Sequence, residues 1–115
     1  MYQLLILIPS TVNTDALDEG WPAFLDAAES MDGLIRESVS RVDRNIFGQN
    51  NILRIYSFLF HDKTSFNQAL MSSEGEKAGE IIHQITGGEV ILLGGTFHED
   101  SLDHIQSWED IEEGS

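Results

Sequence analysis

An α+β fold in the order strand, helix, strand, strand, helix, strand is what this 115-residue chain predicts, on three observations. The opening segment Tyr2 to Ile8 is apolar on both alternating faces, as in a strand covered on two sides. "LIRESVSRVD" (Leu34 to Asp43) and "NILRIYSFLF" (Asn51 to Phe60) are rich in β-branched and aromatic residues and flank the turn-prone "RNIFGQN", the pattern of an antiparallel hairpin. Finally, "MSSEGEKAGEIIHQITGGEVILLGG" (Met71 to Gly95) reads as a helix start, a one-sided apolar helix, a glycine turn and a strand.

In chain order, the strand at Tyr2 to Ile8 is followed by a helix expected over Asp18 to Met31. There Trp21, Phe24, Leu25, Ala28 and Met31 recur at helical spacing, Pro22 is placed as a first-turn residue and Gly33 lies just past the end. The hairpin comes next. "DKTSFNQAL" (Asp62 to Leu70) then looks like a helical turn or two. Ser73 and Glu76 have the spacing of a capping box for the second helix, whose face carries Ala78, Ile81, Ile82 and Ile85, and Gly87 fits a left-handed C-cap. The last strand is expected over Glu89 to Phe97, with Gly94 and Gly95 marking a bulge or the close approach of another backbone.

This order is the split βαβ, ferredoxin-like βαββαβ arrangement: a four-stranded antiparallel sheet with its helices on one face. Two helices cover only one side of a sheet. Yet Leu4, Ile6 and Ile8 oppose Leu5 and Leu7, Tyr56, Phe58 and Phe60 oppose Leu53, Ile55 and Leu59, and Val90 and Leu92 oppose Ile91 and Leu93. A second copy of the same sheet is the simplest cover for the other side, so a homodimer with sheet packed on sheet is expected. The aliphatic face of the third strand is assigned to the helices and its aromatic face to the interior between the sheets. Residues 1–98 form the expected domain, and residues 99–115 an acidic C-terminal tail in which Leu102, Ile105 and Trp108 recur at a spacing near three.

Composition excludes several function classes. Six Lys and Arg against 20 Asp and Glu give a formal charge of -14, which repels nucleic-acid phosphates and anionic lipid, so no nucleic-acid or membrane partner is expected. The chain lacks cysteine, which removes disulfides, thiolate metal sites and a thiol nucleophile. "MYQLLILIPS" has no basic residue before its short apolar run, so neither a signal peptide nor a spanning helix is expected, and the localisation predicted is cytoplasmic.

The glycine pairs do not make a phosphate loop. Gly87 and Gly88 follow a helix and precede a strand, the reverse of the polarity that aims backbone N–H groups at an anion, and no lysine follows them. Among the histidines, His61 ends the third strand and His98 follows the fourth, placing both at one end of the sheet near Tyr2. Two strand spacings, about 10 Å, separate them, too far for one metal, so no metal site is expected. His98 is the candidate general acid or base, against the plain reading of solvated strand-end histidines. Four of the six cations, Arg36, Arg41, Arg44 and Arg54, fall in or near the hairpin. Ion pairing with Glu37, Asp43 or the tail is one role for them; fixing a ligand carboxylate or phenolate is the other. Arg54 shares a strand face with Tyr56, Phe58 and Phe60, so Arg54 and Tyr56 are expected to orient a ligand's polar group, with Phe58 and Trp21 as apolar wall. Ser38 and Ser40 are candidates to join them, a one-residue slip exchanging them for Glu37 and Val39. There is no signature for a flavin, nicotinamide or haem, and no cofactor is expected.

"SFNQALMSSEGEKAGEIIHQITGGEVILLGGTF" resembles the EthD family, named for ethyl tert-butyl ether degradation, in its helix start and its "TGG-V-LL" strand; "MDGLIRESVSRV" is similar to the family's glycine-led second strand. The resemblance spans roughly residues 2–98. It implies a dimeric α/β barrel, in a superfamily that includes cofactor-free monooxygenases, lactone isomerases and polyketide cyclases. EthD-like chains often carry a Tyr and an H-x-P element in the first helix, whereas "GWPAFLDAAESMDG" has no histidine, so chemistry through that residue is not carried over. The function expected is a small dimeric barrel protein binding an apolar or aromatic small molecule, with cofactor-free proton transfer or oxygenation as its chemistry. The alternative is a non-catalytic accessory protein whose sheet face is filled by the dimer contact.

Overall fold

The computed structural model describes residues 1–49 and 51–99. Its elements in chain order are β1 (Tyr2–Pro9), α1 (Thr14–Glu29), β2 (Leu34–Arg41), β3 (Ile52–Phe60), α2 (Lys63–Met71), α3 (Ser73–Thr86) and β4 (Ile91–Thr96). The strands form one antiparallel sheet in the order β2-β3-β1-β4, the ferredoxin-like arrangement, with the helices on one face. The segment after β3 is longer than the expected turn or two: α2 is a nine-residue helix, capped by the Asp62 carboxylate accepting from the Ser65 N–H.

Both long helices start where a side chain satisfies their free N–H groups. Asn13 caps α1, its Oδ1 accepting from the N–H groups of Asp15 and Ala16 at 3.0 and 3.2 Å. That sets the helix start four residues before the expected Asp18, so Pro22 lies inside the helix instead of in its first turn. Lacking an N–H, Pro22 gives the Asp18 carbonyl no helical partner. In α3 the N-cap is Ser72, not Ser73: the Ser72 hydroxyl accepts from the Gly75 N–H, while Ser73 donates to its neighbour Glu74. Gly87 ends α3 with φ 62°, the left-handed cap its position predicted.

The core lies between the helices and the sheet face that carries Ile6, Ile8, Tyr56, Phe58 and Phe60. Aromatic rings meet edge to face across this layer: Phe24 with Phe58, Phe60 with Phe66, and Tyr2 with Phe66, at centroid distances of 6.1, 5.7 and 4.8 Å. The expected face assignment of β3 is therefore reversed. Its aromatic face packs on the helices, where large rings fill the wide gap between two layers, and Leu53, Ile55 and Leu59 line the opposite, open face with Leu5 and Leu7.

No bulge interrupts β4, whose pairing with β1 runs unbroken from Ile91 opposite Leu7 to Thr96 opposite Tyr2. At Gly94 the close approach comes from a ring, not a backbone: a Cβ there would stand 3.1 Å from Phe66 Cζ. Irregularities sit instead at the end of β1, where Ile8 pairs with Arg54 but Pro9 with Ile52, and in β2, where Leu34 pairs with Phe60 but Arg36 pairs with Leu59, leaving Ile35 as the extra residue. Of the acidic tail, residues 100–115 lie outside the described residues, so its Leu102, Ile105 and Trp108 receive no structural account. Among the described residues, no helix is long and apolar enough to cross a membrane.

Candidate functional site

The bulge at Ile35 decides which side chains of β2 meet the helices. Leu34 points to the helix face with Phe60; the extra residue then shifts the alternation by one, so Glu37, Val39 and Arg41 pair with Phe58, Tyr56 and Arg54 on that face. Ser38 pairs with Ser57 and belongs to the open face, though as an edge-strand residue it also borders the helix side. The register thus takes the slipped alternative, Glu37 and Val39, over Ser38 and Ser40.

Between α1 and these two strands lies a hollow of about 440 Å³, lined by Asp18, Trp21, Pro22 and Leu25 from the helix, Glu37, Ser38, Val39 and Arg41 from β2, and Arg54, Tyr56 and Phe58 from β3. Helical periodicity puts positions 18, 21, 22 and 25 on one side of α1, which is why they face the strands together. Trp21 stacks on Tyr56 with ring centroids 4.0 Å apart, making a flat aromatic floor. Arg54, its side chain only 14% exposed, donates from Nη1 to Asp18 Oδ1 at 2.7 Å. Hydrogen bonding to Asp18, reinforced by the Tyr56 oxygen, raises the guanidinium above its ordinary value, against the opposing effect of burial. The same bond, with Arg41 adding attraction, holds the Asp18 carboxyl below its own. Of the other clustered cations, Arg36 pairs with Glu99 at 3.3 Å on the surface, so two of the hairpin arginines do serve in ion pairs, one of them with the first tail residue.

Glu37, which the sequence offers only as an ion-pair partner or a register alternative, stands at the other end of the hollow. Burial, followed by a hydrogen bond to Glu29 and its negative charge, pushes the Glu37 carboxyl up. Glu29 is in the last turn of α1, where no basic residue offsets the helix's own negative end. A signal for this was present in the sequence as a glutamate on each segment, but only the bulge brings Glu37 to that face.

A second, more apolar hollow of about 420 Å³ lies beside the first, between the β1 and β4 side of the sheet and all three helices; Tyr2, Leu4, Phe66, Ala78, Leu92 and Gly94 are among its walls. Phe58 lines both. Gly94, with no side chain, leaves Phe66 room to form part of that wall.

His98 is not near Arg54. It lies two residues beyond Thr96, which pairs with Tyr2 as Phe60 does, and Arg54 is six residues along β3 from Phe60, about 20 Å of strand. A general acid must come within hydrogen-bond reach of its proton's destination, so His98 does not serve a ligand held at Arg54 in the same protomer. It is exposed, at the end of the sheet near Tyr2, where His61 also lies. Among the described residues there is no cluster of three or more His, Asp or Glu that would hold a metal ion.

No protein-family model and no curated protein matches this chain in sequence. Solved structures do match its fold. An EthD family protein from Bacillus halodurans superposes with a TM-score of 0.76 at 21% identity, over 85% of this chain and 99% of that one. A hydroxynitrile lyase from Passiflora edulis gives 0.66 at 10% identity, covering 86% and 94%. A cofactor-independent oxygenase from Streptomyces nogalater gives 0.62 at 10% identity, covering 88% and 95%. Other matching structures, one of them from Jannaschia, are dimeric ferredoxin-like proteins of unknown function. The resemblance to the EthD family seen in the sequence is thus matched by the fold.

Proposed function

We propose that this chain is a small dimeric barrel protein that binds an apolar or aromatic small molecule between sheet and helices. The observation that carries the reading is the hollow of about 440 Å³ with a stacked Trp21 and Tyr56 floor and one mostly buried arginine side chain, Arg54. Small-molecule sites have this makeup: a concave, largely apolar space of a few hundred cubic ångströms with a few fixed polar anchors. Arg54 and Tyr56 orient the polar group of the ligand, Phe58 and Trp21 form its wall, and Ser38 contributes from the rim. The neighbouring apolar hollow extends the space past Phe58.

The chemistry that fits is cofactor-free proton transfer or oxygenation. Support comes from the similar structures, which include a cofactor-independent oxygenase and a hydroxynitrile lyase, and from Glu37, a carboxyl whose surroundings favour keeping a proton. Glu37 takes the acid and base role at the Arg54 hollow; His98 is reserved for a ligand seated toward Tyr2 in the apolar hollow. The rival reading, an accessory protein without catalysis, draws on one observation: Arg54 already has a partner in Asp18.

Native mass spectrometry of freshly purified protein reports the assembly and any retained small molecule together. With a ligand so identified, Arg54→Ala should weaken binding about tenfold or more and Tyr56→Phe a few-fold, the losses expected for a charge-assisted and a neutral hydrogen bond. If neither substitution changes affinity, the site is elsewhere.

A further inference from the structure

The hollow between α1, β2 and β3 has basic side chains at one end and an acidic side chain at the other. At one end Arg41 and Arg54 are directly paired across the strands, a like-charge arrangement that is unfavourable unless an anion lies between them. Asp18 supplies one carboxylate to the two guanidiniums, and among the described residues Arg41 forms no ion pair. One positive charge is left over, in a chain whose formal charge is -14. At the other end, four residues back along β2 and about 13 Å of strand away, Glu37 lines the hollow. Between the two ends lies the Tyr56 and Trp21 stack.

We infer that this hollow takes a bifunctional aromatic ligand, a ring with an anionic group at one end and a hydroxyl donor at the other. The anion joins Asp18 in neutralising Arg41 and Arg54. The ring lies on the aromatic floor, and the hydroxyl donates to a carboxyl oxygen of Glu37. This narrows the binding reading above and rests on it. An apolar ligand of the same shape would leave a polar group unmatched at each end, and a ligand with one polar group would leave one.

Calorimetric titration of the full chain with four matched probes tests this: para-hydroxyphenylpropionate, phenylpropionate, para-propylphenol and propylbenzene. The first should bind at least about tenfold more tightly than either singly substituted probe, the separation expected from one charge-assisted hydrogen bond. Arg41→Gln should abolish the advantage conferred by the carboxylate and Glu37→Leu the advantage conferred by the hydroxyl. Both side chains are on exposed strand positions, so both variants should fold. If propylbenzene or para-propylphenol binds as tightly as the bifunctional probe, the inference fails while the simpler reading of an apolar site stands. If the probes bind in the expected order but neither variant disturbs it, the inference also fails, because recognition then lies outside the hollow. If none of the four binds, the inference fails, while the broader reading is decided by the retained ligand and the Arg54 and Tyr56 variants.

Discussion

Asp18 and Glu37 border the same hollow, yet their carboxyl groups are displaced in opposite directions. The native state holds Asp18 ionised through Arg54, so this pair's contribution to stability is present above the ordinary aspartate value of 3.8 and is lost as pH falls below it. Asp62 behaves likewise through its cap on α2. Glu37 works the other way: the folded chain keeps a proton that the unfolded chain releases at the ordinary value of 4.5, so stability declines as pH rises past 4.5 toward the raised native value. Thermal melts of Asp18→Asn should show a shallower loss of stability below pH 3.8 than the unaltered chain, and Glu37→Gln should flatten the decline above pH 4.5. A Glu37→Gln profile parallel to that of the unaltered chain would mean that the Glu29 contact does not hold the proton. At this scale the sequence was readable wherever strict alternation holds. Arg54, Tyr56 and Phe58 share a face because they are spaced by two on one unbroken strand, and Trp21 lies on the apolar stripe of a helix. Glu37 was not placed, because one extra residue at Ile35 inverts the alternation and leaves no mark on it.

The elements were readable in type and less so at their ends, for a reason visible in the caps. Apolar periodicity locates the part of a helix that is buried, whereas the first turn of α1, Thr14 to Leu17, is set by Asn13 and carries only one buried residue. Two serines in a row at 72 and 73 left the α3 start ambiguous by one. Ser72→Ala should therefore destabilise the chain by about 1 kcal/mol, the usual value of an N-cap, while Ser73→Ala should cost much less. Urea denaturation of both variants checks the order, and a reversed order would place the cap at Ser73. Gly75 in the same turn is a sharper case. A Cβ there would collide with the Ala69 carbonyl oxygen and stand 2.8 Å from that of Leu70, both backbone atoms that cannot swing aside. Gly75→Ala should cost about 2 kcal/mol or more, despite alanine's better helix propensity, because the α2 to α3 junction must open to admit the methyl group.

For the whole molecule, the unanswered demand is the open face of the sheet. Leu5, Leu7 and Ile55 lie on it half-buried, Ile91 and Leu93 are 40% and 47% exposed, and the helices occupy the other side. Two-sided apolar strands were legible in the sequence, and the need for a second cover followed from them; which face met the helices was not, because both faces of β3 are apolar enough to be core. The sheet-on-sheet dimer proposed above puts this face against its copy. Around the center of the face, Ser57 donates to Gln3 Oε1 at 2.9 Å, so the hydroxyl donor of Ser57 and the carbonyl oxygen of Gln3 are matched within one chain. Light scattering at micromolar concentration should then give twice the 12.9 kDa chain mass. Leu93→Arg, which buries a charge in the proposed contact, should return the mass to that of one chain. Leu92→Arg is the control: it alters an equally exposed neighbour that pairs with Ile6 on the helix side, and it should leave the dimer intact. A monomeric unaltered chain would remove the dimer, and dissociation by Leu92→Arg alone would move the interface to the helix-side face of β4.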